Sequence, residues 1–231
     1  MDARDRIWVA LDSDDLTRAR DLVRTLRTEV GGFKIGKEFF TAFGPSAVRE
    51  VLGDARLFLD LKFHDIPNTV AAAVRAGLRL RPTLINVHAS GGPAMLRAAA
   101  EAAAAAGADR PALLGVTVLT SLADDDLRAV GQASPAADQV LRLARLCRDC
   151  GLDGVVASPL EVAMLRDALG PDFRLVIPGV RPAWSESGDQ KRVMTPRQAV
   201  AAGADDLVIG RPITRAPDPV EAARRIVAEL A

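Results

Sequence analysis

The feature that most constrains the fold is an alternation. Short apolar runs, each followed by a longer segment with helical spacing, recur eight times in 231 residues. The runs lie at 7–11, 32–35, 56–61, 83–88, 112–118, 154–157, 174–177 and 206–209. They are nearly unbroken in Val, Ile, Leu and Phe, as expected of parallel strands covered by helices rather than of half-solvated antiparallel ones. The helical segments lie at 16–28, 45–52, 67–81, 93–106, 136–150, 160–169, 196–202 and 219–230. Several begin near a proline, whose missing N–H costs nothing in a first helical turn. Gly107, Gly151, Gly170 and Gly203 follow helical segments as stop signals. Eight such units predict a single-domain (β/α)8 barrel over residues 1–231, with a doubly wound open sheet as the other arrangement the alternation permits.

Hydrophobic residues make up 49% of the chain, enough to bury the core of such a barrel. Thirty Lys and Arg balance thirty Asp and Glu, which removes any general attraction to nucleic acid or to an anionic membrane. A phosphate must therefore be held by a local site. No apolar run reaches the roughly 20 residues of a membrane helix. The opening MDARDRIWVALD lacks the apolar region of a signal peptide, so a cytoplasmic protein is expected. Cys147 and Cys150 form a CxxC inside a helical segment, with no second pair and no histidine near it in sequence. They read as reduced, packed thiols rather than as a redox or zinc motif.

In a barrel of this kind, active sites form where strands end and loops begin. The third strand runs into Asp60-Leu61-Lys62-Phe63-His64-Asp65. Side chains two apart on a strand share a face. If Leu61 packs toward the helices, Asp60 and Lys62 point into the barrel, and Asp65 falls in the following loop. The first strand ends in Asp12 and the second carries Lys34 between Phe33 and Ile35. Charges of alternating sign can share a mouth because each offsets the burial cost of the next, and such clusters mark candidate sites. Each residue alone has a plainer reading. Asp60 with Lys62 makes an ordinary ion pair, Asp65 caps the helix that Pro67 starts, and Asp12 caps the helix near Leu16. His64 reads as a loop-orienting residue and His88 as a packed one.

The last third carries a different chemistry. Gly179 follows the seventh strand and Gly210 the eighth, with Arg181 and Arg211 beside them. Barrels of this size often hold phosphate there, through backbone N–H groups that glycine exposes and a charge-assisted arginine contact. An ordinary turn with a solvated arginine is the alternative. The polar stretch from Arg181 to Met194, with Ser185, Ser187, Gly188, Asp189 and Gln190, has the composition of a lid or of a surface loop.

DLKFHDIPNTV at 60–70 resembles the signature of orotidine 5′-phosphate decarboxylases. FKIGKEFF at 33–40, VTVLTS at 116–121, PGVRP at 178–182, DQKRVMTP at 189–196 and IGRPIT at 209–214 follow in the order that family shows. The resemblance runs from Asp12 to Arg211. It implies a cofactor-free, metal-free barrel that converts orotidine 5′-phosphate to UMP and CO2. It gives Asp12 and Lys34 to the ribose hydroxyls, and Asp60, Lys62 and Asp65 with Lys34 to a catalytic array in which Lys62 donates the proton. It gives Thr120 and Gln190 to the pyrimidine, Gln190 also to the phosphate, and Arg181, Gly210 and Arg211 to the phosphate, with Pro182 beside them. It further implies a homodimer in which Asp65, Ile66 and Thr69 reach the neighbouring subunit's site. The alternative is a magnesium-dependent phosphosugar decarboxylase of the same superfamily, which shares the Asp-x-Lys-x-x-Asp pattern. Such relatives place a metal-binding carboxylate on the second strand, where this chain has Lys34. A Schiff-base aldolase needs a neutral lysine, which flanking carboxylates oppose. A non-catalytic phosphate-binding module leaves the lysine–carboxylate cluster without a use.

Overall fold

The structure, a computed structural model, describes residues 2–132, 135–185 and 194–230. These form a closed barrel of parallel strands in chain order: β1 (Ile7–Ala10), β2 (Gly32–Gly36), β3 (Leu57–Phe63), β4 (Leu84–His88), β5 (Ala112–Val116), β6 (Gly154–Val156), β7 (Arg174–Pro178) and β8 (Asp206–Ile209). The ring closes through Ile7 opposite Leu207. The alternation therefore builds a barrel and not an open sheet. The helices are α1 (Leu16–Leu26), α2 (Lys37–Leu52), α3 (Pro67–Leu78), α4 (Gly92–Ala104), α5 (Asp124–Ala129), α6 (Ala136–Asp149), α7 (Val162–Leu169), α8 (Pro196–Ala201), α9 (Arg211–Thr214) and α10 (Pro219–Leu230). Among the described residues, no helix is long and apolar enough to cross a membrane.

The strands separate two cores by parity. Ile7, Val9, Phe33, Ile35, Leu57 and Leu59 face outward and pack against the helices. Trp8, Ala10, Phe58, Leu84, Leu114 and Val208 fill the barrel interior. Lys34, Asp60 and Asn86 sit two residues further along the inward rows that Gly32, Phe58 and Leu84 begin, which takes buried polar groups to the mouth.

Three local outcomes differ from the periodicity. Helix α2 starts at Lys37, directly after β2, and not at Pro45; Gly44 (φ 71°, ψ −176°) breaks it, so the sequence pattern registers only the second half. Strand β3 runs on to Phe63. The short α5 lies in a stretch too polar to show an apolar stripe. The cysteines are free and buried. Burial, and to a lesser degree Cys150, pushes the Cys147 thiol up to about 12, which denies it thiolate reactivity at neutral pH.

The floor of the barrel is held by Asp206. Its buried carboxylate accepts from Trp8 Nε1 at 2.7 Å and from Arg174 Nε and Nη2 at 2.5 and 2.8 Å. Removing one partner of a buried ion pair strands the other, at a cost of about 3–5 kcal/mol. Asp206→Ala should therefore lower the unfolding free energy in urea by roughly that amount. A midpoint equal to wild type would show that the pair contributes nothing net.

Candidate active site

A cavity of about 670 Å³ opens at the C-terminal ends of the strands. Its wall brings together Asp12, Lys34, Asp60 and Lys62 on one side and Arg181, Gly210 and Arg211 on another, with Thr120 between them in sequence. Residues separated by up to two hundred positions meet because closing the ring sets β1 against β8.

The charged side is built from β1, β2 and β3. Lys34 Nζ lies 2.8 Å from Asp12 Oδ1 and 3.3 Å from Asp60 Oδ2, and Lys62 Nζ lies 2.6 Å from Asp60 Oδ1. The result is a continuous Asp12–Lys34–Asp60–Lys62 chain of alternating sign. Gly36 makes the first link possible: a Cβ there would stand 2.5 Å from Asp12 Oδ1 and 2.9 Å from Lys34 Nζ. The helix-capping alternative for Asp12 fails, because Asp15 caps α1 through Oδ1 to the Arg18 N–H.

Burial alone would push the Lys34 ammonium down, but Asp60 and Asp12 more than offset it and hold Lys34 above its usual range. Burial would likewise raise Asp60, yet Lys34, Lys62 and the Asn86 amide together hold it below the usual carboxylate range. Both therefore stay ionised at neutral pH, and a charged Lys34 is the wrong species for Schiff-base chemistry. His88, at the end of β4, is pushed down to about 4 by burial and by the neighbouring His64, Lys37 and Lys62, so it is neutral at pH 7. Its ring lies against that of His64, centroids 5.4 Å apart and tilted by 42°.

Leu61 packs against the outer core while Asp60 and Lys62 meet in the cavity, as strand periodicity predicts. The backbone route is different, however. Lys62 lies in the left-handed region at φ 52°, and the β3–β4 register slips between Leu59 opposite Ile85 and Phe63 opposite Val87. The residue that sequence reasoning missed is Asn86, fully buried in β4. Its Nδ2 donates to Asp60 Oδ1 at 2.6 Å and its Oδ1 accepts the Lys62 N–H at 2.8 Å. The available signal was one amide inside the apolar run Leu84-Ile85-Asn86-Val87.

Asp65, Ile66 and Thr69 lie outside this cavity, on an exposed stretch that runs from the loop after β3 into the first turn of α3. Asp65 Oδ1 accepts the Ile66 N–H at 2.7 Å, and α3 has no side-chain cap. Ile66 is 67% exposed, an unusual state for a large aliphatic side chain. Pro182 is buried beside the buried Arg181 but does not line the cavity. The Arg181 N–H donates to the Met194 carbonyl at 2.9 Å, which ties together the two ends of the polar 181–194 segment. Gln190, with most of that segment, lies outside the described residues. Among the described residues, no three His, Cys, Asp or Glu side chains gather as a metal site.

A (β/α)8 barrel whose mouth pairs a lysine–carboxylate array with a glycine–arginine corner belongs to the class that binds small anionic ligands at the strand ends. Residues 5–226 match the model of the orotidine 5′-phosphate decarboxylase / HUMPS family, and the chain belongs to that family. It is 56% identical to an orotidine 5′-phosphate decarboxylase of Paramagnetospirillum magneticum, over 97% of each chain. It is 57% identical to one from Moorella thermoacetica, over 100% of this chain and 94% of that one. The crystal structure of the Lactobacillus acidophilus orotidine 5′-phosphate decarboxylase superposes with a TM-score of 0.86 at 39% identity, covering 97% of this chain and 98% of that one.

Proposed function

We propose that the chain decarboxylates orotidine 5′-phosphate to UMP and CO2, the last step of de novo UMP synthesis, in the cytoplasm and without metal or organic cofactor. The observation that carries this reading is the Asp12–Lys34–Asp60–Lys62 chain in a cavity that also holds Arg181, Gly210 and Arg211.

The reaction breaks the bond from C6 of the pyrimidine to its carboxylate and leaves the electron pair on C6, where the ring offers no sink. Enzymes typically lower barriers by roughly 8–23 kcal/mol, and this reaction sits in the upper part of that range. The work falls to fixed charge and to binding energy from groups remote from C6. Lys62 is held by Asp60 and presents a cation where negative charge develops; it then delivers a proton to C6. Asp12 and Lys34 take the ribose hydroxyls. Thr120 and Gln190 take the base, and Gln190 with Arg181, Gly210 and Arg211 takes the phosphate, with Pro182 supporting Arg181. Asp65, Ile66 and Thr69 complete the site of a second copy in a homodimer. Their exposure in the single chain and the absence of an Asp65–Lys62 pair among the described residues support that arrangement.

A magnesium-dependent phosphosugar decarboxylase would need a cation near these carboxylates, and Lys34 Nζ already bridges Asp12 and Asp60. Loss of orotidine 5′-phosphate absorbance with EDTA present is the deciding assay. Undiminished turnover is expected. No turnover, or turnover abolished by EDTA, overturns the reading.

Arg211→Ala should weaken UMP binding by roughly 10- to 100-fold, the value of one charge-assisted contact. Uridine binding should be nearly unchanged, as calorimetry with both ligands would show. An equal loss for uridine would remove Arg211 from the phosphate corner.

A further inference from the structure

We infer that Asn86 is a positioning residue that sets Asp60 and Lys62 together. The inference rests on the decarboxylase reading above. Asn86 lies on the inward row of β4, fully buried, between Leu84 and His88. One end of its amide donates to Asp60 Oδ1 at 2.6 Å; the other accepts the backbone N–H of Lys62 at 2.8 Å. No ionised side chain combines a donor for a carboxylate with an acceptor for an N–H; an amide does.

The strand ladder gives a reason for this pairing. Between Leu59 opposite Ile85 and Phe63 opposite Val87, β3 advances four residues while β4 advances two. The extra residues form a bulge, and a bulge interrupts the regular ladder. Lys62 sits in that bulge at φ 52°, a conformation rarely held by a side chain of its size. The Asn86 Oδ1 supplies the acceptor that the interrupted ladder does not, and so fixes the backbone from which the lysine reaches Asp60. Its Nδ2 simultaneously fixes the carboxylate being reached. The charged and titratable groups around this pair include Asp60 and Lys62 on β3, Lys34 on β2 with Asp12 after β1, and His88 on β4 with His64 and Lys37 of α2 near it.

The test uses the full chain and two substitutions, each checked by thermal melting. Asn86→Leu removes both hydrogen bonds. Asn86→Asp keeps the shape and the acceptor for the Lys62 N–H but replaces the donor toward Asp60 with a second carboxylate. With wild type active, Asn86→Leu should lose roughly 10- to 100-fold in kcat at every pH, the range expected for hydrogen bonds to charged groups. Its affinity for UMP should stay within about threefold, since the amide braces the reacting end of the site and not the ribose or phosphate end. Asn86→Asp should be as impaired at pH 8 and recover as the pH falls, because two adjacent carboxylates take up a shared proton and so restore a donor toward Asp60. The inference is overturned by kcat within about twofold of wild type in both variants, or by a loss in Asn86→Asp that does not change with pH. A parallel loss of UMP affinity and kcat also overturns it, by reducing Asn86 to general packing. If Asn86→Leu does not fold, Asn86→Asp carries the test. If wild type releases no CO2 from orotidine 5′-phosphate, the functional reading fails on its own. The positioning role is then decided by the crystal structure of Asn86→Asp at pH 8, where the carboxylate of Asp60, no longer receiving the amide, should turn away from Lys62 Nζ; unchanged Asp60–Lys62 geometry refutes the role.

Discussion

Lys62→Ala should lower kcat by on the order of 10⁴-fold or more, because in the proposed mechanism one side chain supplies both the charge facing C6 and the proton delivered there. Nucleotide binding survives. In the proposed reading the ribose and phosphate contacts come from Asp12, Lys34 and the Arg211 corner, and Lys34 keeps Asp60 at 3.3 Å as a counter-ion in this variant. Single-turnover decarboxylation together with calorimetric binding of UMP separates the two effects. Turnover near the wild-type value would take Lys62 out of the chemistry. Loss of UMP binding in proportion to kcat would make it a binding residue only.

Asp60→Ala has the second large effect, and it reaches stability as well as rate. Asp60 stands between two ammonium groups, Lys34 at 3.3 Å and Lys62 at 2.6 Å, and receives the Asn86 amide at 2.6 Å. Lys34 is only 8% exposed, so removing the carboxylate leaves a buried cation with Asp12 as its remaining partner. Leaving a buried charge wholly unpaired costs about 3–5 kcal/mol; with Asp12 still beside Lys34 the loss is smaller than that, but the urea midpoint falls and kcat falls with it, since Lys62 loses its anchor. The pH dependence has a definite sign. The folded-state pKa of Asp60 lies below its unfolded value, so its stabilisation is fully present above the ordinary carboxylate range. It is lost as the pH falls through the lower folded value. Wild type should therefore lose this part of its stability in acid, and Asp60→Ala should lack it at every pH. Denaturation midpoints that converge only below the carboxylate range would agree. A constant difference at all pH values would mean that Asp60 acts through packing rather than charge.

Much of the site is legible along the chain. The Asp60-x-Lys62 spacing puts both side chains on one face, and Lys34 between two large apolar residues is a charge in a core strand. Each of these is a local relation, and a strand's two-residue period carries it faithfully. Local relations leave two ambiguities. Asp12 reads along the chain as a cap for α1 or as part of the charged cluster, and only the fold sends Asp15 to the Arg18 N–H and Asp12 to Lys34. Asp65 reads as a cap for α3 or as a member of the charged array, and the structure leaves it exposed, outside the cavity.

By itself, the sequence determined the eightfold alternation, the inward parity of Lys34 and Asp60, and the family. The tertiary structure alone decided which strand faces which. That register brings Asn86 opposite the bulge, sets Lys62 in the left-handed region, and carries Asp206 to Trp8 across the closed ring. The physical reason is range. Side-chain periodicity is a property of a few neighbouring residues, whereas the closure and stagger of a barrel depend on all eight strands at once.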